Sequence, residues 1–245
     1  MEWSADGIVL AAKPLGEGGA ILDALTREHG RHLGLVRGVG SRRLAGALEP
    51  GNLVKLTWRA RIAEQLGSYA VEPAQARAAA LFHDRAKLSA LASLTAVASA
   101  ALHEREAHPR VFEALDHVLR EASVQDALTV AAAAVSFELI LLEDLGFGLD
   151  LTECAATGAT DDLKFVSPKS ARAVSEAAAA PYRDKLLRLP QFLLDHDHGA
   201  AWSDAADGLA LTGFFLERQV LLPQQKSLPP ARARFFELVA ARAHG

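Results

Sequence analysis

A strict alternation of apolar and polar residues between Leu53 and Ile62 constrains the fold of the N-terminal region more than any other feature. Every second residue is apolar, namely Val54, Leu56, Trp58, Ala60 and Ile62. The residues between them are Lys55, Thr57, Arg59 and Arg61. Successive side chains of a β-strand point to opposite faces, so the pattern predicts a strand with one face in a core and the other in water.

Four more strand candidates lie on either side of this segment. They cover residues 7–14, 20–27, 31–39 and 66–71. Five short antiparallel strands within residues 6–73 are typical of a small barrel of the OB type. We therefore expect residues 1–75 to form an OB-fold domain, with Arg42 and Arg43 at the tip of a flexible loop.

From Ala74 onward the sequence is rich in alanine and leucine, which favours helix. The predicted helices cover residues 74–106 (with a break near His83), 109–122, 124–145, 183–194, 202–222 and 230–243. A polar segment rich in turn-forming residues interrupts this pattern at 150–181. The expected fold class is α+β, with the barrel followed by a helical domain at 76–245 that contains this insert.

Positive charge is concentrated in the predicted barrel, although the formal net charge of the chain is −4. Such a local basic region is typical of polyanion binding, and the alternative is an ordinary solvated sheet face. The residues predicted to contact a DNA backbone are Arg37, Arg42, Arg43, Lys55, Arg59 and Arg61. Because Trp58 is expected inside the barrel, only Trp3 and Tyr69 remain for base stacking, which predicts an electrostatic, sequence-tolerant contact.

Signals for catalysis are weak. The sequence contains neither a P-loop nor a nucleophile elbow. His196 and His198, with their neighbouring aspartates, form a candidate metal site, and a polar loop is the favoured alternative because a third ligand at fixed spacing is missing. His29 and His32 flank a predicted turn and are expected at the surface. An acidic start and the lack of an apolar run of ~20 residues predict a cytoplasmic protein without membrane contact.

The single cysteine, Cys154, excludes a disulfide framework and a zinc site built from several thiolates. Thr157 stands where a Cys-x-x-Cys motif has its second thiol. We expect Cys154 to be buried and inert, and the insert to fold without zinc or another cofactor. Leu163, Phe165, Val166 and Val174 are expected to form its small apolar cluster.

A set of short segments extends over most of the chain with a defined order and spacing. They are residues 16–22 with 25–30, 37–38 with 42–43, 46–50, 141–151, 154–158, 165–168 and 173–174. In this order and spacing the chain resembles the RecO family of bacterial recombination mediators. The resemblance implies an N-terminal OB-fold, a helical domain and a zinc-finger-like insert. Many members have four cysteines in that insert, whereas Thr157, Ser175 and Ala178 follow Cys154 here.

The resemblance also implies a function. It implies a protein that binds single- and double-stranded DNA, anneals complementary strands and works at the nucleoid without catalysing a covalent step. The implied partners are RecR and the acidic C-terminal tail of single-strand-binding protein, so that RecA can be loaded. The alternatives are a protein-binding adaptor with a purely structural barrel and, more remotely, a metal-dependent hydrolase using His196 and His198.

A receptor for an acidic, hydrophobic peptide tail needs an apolar groove rimmed by a cation. The predicted helical domain suits such a groove. Arg110 and Arg120 are the candidate cations, and Arg183, Lys185 and Arg188 are the alternatives.

Overall fold

Five strands close into a barrel in the computed structural model, which describes residues 1–62, 64–195 and 199–244. The strands are β1 (Glu2–Leu15), β2 (Gly19–Thr26), β3 (Gly30–Arg37), β4 (Leu53–Arg59) and β5 (Ser68–Gln75). Their order round the barrel is β1-β2-β3-β5-β4, and neighbours are antiparallel except for β3 and β5. This arrangement is the OB-fold, as predicted.

Strand β1 is long enough to pair with two partners. Residues 2–8 pair with β4 and residues 7–15 pair with β2, and the register shifts between Val9 and Ala11. A bulge at such a shift bends the strand and increases its twist, which allows one strand to close the barrel. The barrel interior is filled by alternate residues of the strands, among them Leu22 and Leu56.

The alternation in β4 is confirmed for its first three apolar positions. Val54, Leu56 and Trp58 are buried, and Lys55 lies on the outer face. The prediction is wrong for Ile62, whose side chain is 54 % exposed. Strand β4 ends at Arg59, opposite Glu2 of β1 and Ser68 of β5, and Ala60 makes the last hydrogen bonds of this ladder, with Met1.

A short helix, α1 (Arg42–Ala47), replaces most of the predicted flexible loop tip. Ser41 caps it, because its hydroxyl accepts a hydrogen bond from the backbone N–H of Leu44. Leu44 and Ala47 pack against the barrel core. Arg42 and Arg43 are therefore carried on a helix that is anchored to the barrel by its apolar residues.

Three further helices belong to the same part of the chain. They are α2 (Arg77–Ala80), α3 (Arg85–Ala101) and α4 (Pro109–Glu121). The predicted break near His83 is confirmed, because the carboxylate of Asp84 caps α3 by accepting from the N–H groups of Ala86 and Lys87. Asp23 of β2 is buried on the outside of the barrel, where it accepts a hydrogen bond from Ser99 of α3. One side of the barrel is thus covered by helix.

The chain divides into two compact units, Met1–Val124 and Gln125–Gly245. The first contains the barrel with α1 to α4. None of the described helices has both the length and the apolar composition that a membrane span requires.

The second unit combines helices with a small sheet. Its helices are α5 (Ala127–Asp144), α6 (Glu176–Ala179), α7 (Trp202–Phe215) and α8 (Pro230–Ala243). The strands are β6 (Leu163–Val166), β7 (Ala173–Ser175) and β8 (Leu187–Arg188), in the order β7-β6-β8. Helix α7 continues as a π-helical segment at Leu216–Leu221, so the predicted helical stretch 202–222 holds as a whole.

The helix predicted at 183–194 is wrong. The chain instead forms a 3-10 turn at Ala180–Lys185, strand β8, and a second 3-10 turn at Gln191–Leu193. Strand β8 pairs with β6, which satisfies backbone groups that a helix would have bonded internally. Pro190 lies inside the predicted range, and proline lacks the N–H that a helix interior needs and disfavours helical conformation in the residue before it.

The predicted apolar cluster of the insert is confirmed. Leu163, Phe165, Val166 and Val174 are all buried, and they lie on β6 and β7. A three-stranded sheet, rather than turns alone, therefore organises this segment.

Candidate nucleic-acid interface

The six cations predicted to contact DNA are spread over the barrel and α1. Arg37, Arg42 and Arg43 lie at the end of β3 and the start of α1, whereas Arg59 ends β4 and Arg61 follows it. Val36 lies across Tyr69 of β5 from Trp58, so Arg37 is near the Arg59 end of β4. Arg43 lines a cavity with Leu53, at the other end of β4, and at about 3.3 Å per residue this seven-residue strand spans about 20 Å. The cations therefore do not form one compact patch.

The first group, Arg37, Arg42 and Arg43, is called the α1 arginine group here. All three side chains are exposed. Arg43 lines a cavity of about 370 Å³ that also includes Glu49. Three guanidinium groups within seven residues make this segment suited to phosphate contacts.

Lys55 lies in a different electrostatic environment, on the outer face formed by β1, β4 and β5. The strand register places Asp6 of β1 on one side of it and Glu72 of β5 on the other. An opposite charge directly across a strand pair stabilises the sheet and compensates the field of the lysine. Lys55 therefore offers less attraction to phosphate than its place in the sequence indicated.

Arg59 is compensated in the same way. Its Nη2 lies 2.8 Å from Oε1 of Glu2, and both side chains are exposed. The hydrogen bond from Arg59 holds the pKa of Glu2 below its ordinary value. Sequence reasoning missed these acids because Glu2, Asp6 and Glu72 lie outside the basic segment and approach it only through strand pairing. The alternation of the polar residues Glu2, Ser4 and Asp6 was the signal in the sequence that could have placed these acids on the outer face of a strand.

Aromatic rings cluster at the end of the barrel where β1 begins. Trp3 stacks on His29 with ring centroids 4.1 Å apart and on Trp58 at 5.8 Å. Trp58 is inside the barrel, as predicted. The prediction of a surface position is wrong for His32, which is 4 % exposed because its β3 position points into the barrel, 4.9 Å from the ring of Trp58. Burial lowers the pKa of His32, which opposes its protonation.

Two sequence models match the chain, described as Recombination protein O N terminal (residues 1–77) and Recombination protein O C terminal (residues 83–229). The chain belongs to the RecO family. It is similar to a protein named DNA repair protein RecO from Methylorubrum extorquens, with 47 % identity over 97 % of this chain and 98 % of the relative. The protein of the same name from Phenylobacterium zucineum is 50 % identical over 95 % of each chain.

The zinc that the resemblance to the RecO family implies does not fit this chain. Of the four positions expected to hold cysteines, only Cys154 has a thiol. Its Sγ accepts hydrogen bonds from the backbone N–H of Ser175 at 3.3 Å and from the Ser175 hydroxyl at 3.4 Å. Burial raises the pKa of the thiol, but hydrogen bonds from Ser175 and Thr157 outweigh burial and lower it to about 6. The residues present therefore offer one hydrogen-bonded thiol, which is too few thiolates for the implied zinc.

Within the described ranges, no cluster of three or more histidine, cysteine or acidic residues is placed to hold a metal ion. The candidate pair His196 and His198 lies outside the described residues.

The cations proposed for a partner peptide in this RecO family chain belong to both compact units. Arg120 of α4 is ion-paired with Asp116 at 3.4 Å and with Glu121 at 3.3 Å, and Arg110 lies at the start of the same helix. Arg183 is paired with Glu176. Lys185 instead lines a cavity of about 510 Å³ in the second unit.

Proposed function

We propose that this protein is a DNA-binding recombination mediator of DNA repair, which binds single- and double-stranded DNA and anneals complementary strands without covalent catalysis. The observation that carries this proposal is the exposed α1 arginine group on an OB barrel in a chain of the RecO family. Relatives named DNA repair protein RecO support it. The site of action would be the cytoplasm, at the nucleoid.

Annealing needs phosphate neutralisation more than it needs a reactive group. Two complementary strands repel each other, and cations that bind their phosphates lower this repulsion and release counterions. Arg37, Arg42 and Arg43 present guanidinium groups that suit phosphate oxygens and do not read bases. The protein would therefore accept any sequence, as a repair mediator must.

The six predicted cations would contribute unequally to binding. Lys55 and Arg59 each lie beside a carboxylate, so bringing phosphate to them also brings it towards Asp6, Glu72 or Glu2. Like charges at these distances oppose binding. We therefore assign most of the phosphate contact to the α1 arginine group and a smaller part to Arg61.

The proposed protein partners are RecR and the acidic tail of single-strand-binding protein, with RecA loading as the outcome. The 510 Å³ cavity of the second unit supports a binding site for such a tail. Its apolar wall includes Val174 and Leu186, and Lys169, Tyr182 and Lys185 also line it. An apolar floor with lysines at the rim suits a peptide that ends in hydrophobic and acidic residues. Arg110 and Arg120 on α4, the candidates from the sequence, are the alternative receptor.

The decisive experiment is annealing of complementary oligonucleotides that are coated with single-strand-binding protein. The full chain should accelerate duplex formation, and RecR should alter the effect. Binding of bare DNA, measured in parallel, distinguishes the mediator from the adaptor. A protein that binds the tail peptide but neither binds nor anneals DNA would be the adaptor, and the proposal would fail.

A further inference from the structure

A cavity of about 520 Å³ opens at the end of the barrel where β1 begins. It is called the barrel-mouth pocket here. Residues that line it include Trp3, His29, His32, Trp58 and Arg105. These come from three strands, the turn between β2 and β3, and the segment between α3 and α4. Mouths of β-barrels are common positions for ligand sites.

The rings of this pocket form an ordered series from the interior to the surface. Trp58, Trp3 and His29 follow one another with interplanar angles of 19° at each step. Trp58 is buried, whereas Trp3 and His29 are partly exposed. A stack that starts in the core and ends at the surface presents a ring face on which another flat ring can lie.

The inner rings are held in place by specific contacts. Nε1 of Trp58 donates to the carbonyl of Leu66 at 3.0 Å. Two glycines leave the room that the aromatic rings occupy: a Cβ at Gly34 would lie 2.4 Å from the ring of Tyr69, and one at Gly67 would lie 2.4 Å from Nε1 of Trp58. The rings thus form a preorganised platform, which lowers the entropic cost of binding.

The outer wall of the pocket is also tied to the barrel. The backbone N–H of Arg105 donates to the carbonyl of Arg31 at 2.7 Å, and Arg105 adopts a left-handed conformation with φ of 67°. A non-glycine residue in this region carries backbone strain, which is found more often at functional sites. Nη2 of Arg105 donates to the carbonyl of Gln65 at 3.0 Å, so its guanidinium is held at the pocket.

The polar groups of the pocket suit the edge of a nucleobase. Nε of Arg105 lies 3.5 Å from Oε1 of Glu104, so the charge of its guanidinium is compensated. The carboxylates of Glu2 and Glu28 also line the pocket, and carboxylates accept hydrogen bonds from N–H groups of bases, which N3–H of thymine supplies. A flat ring face beside hydrogen-bond acceptors therefore suits a nucleobase.

We propose that the barrel-mouth pocket binds one unstacked nucleobase of single-stranded DNA, which stacks on His29 and extends the Trp58–Trp3–His29 series. The inference rests on the proposed function and deepens it, because bases inside a duplex are already stacked and cannot enter. The pocket thus gives the barrel a preference for single strands that phosphate contacts alone do not provide.

The test compares binding of the full chain to two single-stranded oligonucleotides of equal length and charge, one of thymidine and one with an abasic backbone. The protein should bind the thymidine strand about fivefold or more tightly, which is the effect of one base–aromatic stack. Equal binding of the two strands would overturn the pocket while leaving phosphate-driven DNA binding intact. Absence of binding to either strand at low salt would instead mean failure of the proposed function.

Variants at His29 locate the effect. His29→Ala should reduce the preference for the thymidine strand, His29→Phe should restore it, and duplex binding should be unchanged in both. The backbone N–H of His29, which donates to Thr26 Oγ1, is kept in both variants. His83→Ala, at an exposed histidine outside the pocket, is the matched control. A preference that survives His29→Ala would refute the placement of the base on this ring.

Discussion

Arg232 donates from Nε to Oε1 of Glu138 at 2.6 Å, and both side chains are almost fully buried, at 2 % and 1 % exposure. The contact joins α8 to α5, which are 94 residues apart at this pair. Nη2 of Arg232 donates to Oε2 of Glu138 at 3.0 Å, and the hydroxyl of Thr212 on α7 donates to the same oxygen. One bidentate ion pair therefore connects three helices of the second unit.

Removal of one partner of this pair should destabilise the second unit strongly. Glu138→Leu or Arg232→Met leaves a buried charge without its partner, which costs about 3–5 kcal/mol. The double variant removes both charges and should be considerably more stable than the sum of the single changes predicts. Urea unfolding followed by far-UV circular dichroism measures the free energy of unfolding of the two single variants and the double variant. Additive effects of the two substitutions would contradict the coupling.

The α1 arginine group should dominate DNA binding. Four phosphate contacts to single-stranded DNA give a slope of log K against log [salt] near ~−3. Arg42→Glu with Arg43→Glu should reduce this slope by about half and weaken binding to all sequences about equally. Fluorescence anisotropy at several salt concentrations measures both quantities.

The matched control for the arginines is Lys55→Gln, on the outer face of the same barrel. Because Asp6 and Glu72 flank Lys55, its loss should change affinity much less than loss of one arginine of α1. Undiminished binding by the double arginine variant, or a larger loss with Lys55→Gln, would remove the α1 arginine group from the interface.

The insert should fold without zinc. Protein purified without chelator should contain no stoichiometric zinc by elemental analysis, since a single thiol cannot form a tetrahedral set. Cys154 is 1 % exposed, so alkylation should be slow in the native protein and fast in urea even though the pKa of the thiol is about 6. About one equivalent of zinc per chain would refute this prediction.

The lowered pKa of Cys154 also predicts a pH-dependent contribution to stability. A group whose pKa is lower in the folded state stabilises it fully above the unfolded value of about 8.5 and loses this contribution as pH falls towards about 6. The destabilisation caused by Cys154→Ala should therefore grow from pH 6 to pH 9. A difference that is independent of pH would mean that the hydrogen bonds from Ser175 do not stabilise the thiolate.

The barrel should lose stability in mild acid because of His32. Burial lowers its pKa in the folded state, whereas the unfolded chain binds a proton at the ordinary value near 6.5. This contribution is fully present above about 6.5 and is lost as pH falls below it. Urea midpoints measured by tryptophan fluorescence between pH 5 and 8 should show the loss, and His32→Gln should reduce it. His244→Gln, in the second unit, controls for the removal of a histidine elsewhere.

Several elements follow from local sequence alone. The alternation around Trp58 predicted which face of β4 is buried, and the Asp84 cap begins α3 without help from distant residues. The burial of Cys154 and of the apolar residues around Phe165 was also predicted, because cysteine and large apolar side chains are usually buried in folded proteins.

Other features depended on pairing between distant segments. The segment around Leu187 has helical composition but pairs with β6 as a strand. His32 looks like a turn residue, yet the register of β3 with β2 turns it into the barrel. Short-range propensity is weak compared with such tertiary contacts, so it did not decide either position.

The sequence by itself determined that an OB barrel precedes a helical region, that basic residues are concentrated in the barrel, and that the chain has a single thiol. Those properties depend on periodicity and on the number of groups present. Only the tertiary structure decided that Glu2, Asp6 and Glu72 compensate the charge of β4, that Trp3 and His29 form a stack, and that Glu138 has Arg232 as its partner. Their physical reason is shared: electrostatic and stacking energies depend on distance in space, and strand register and helix packing set that distance.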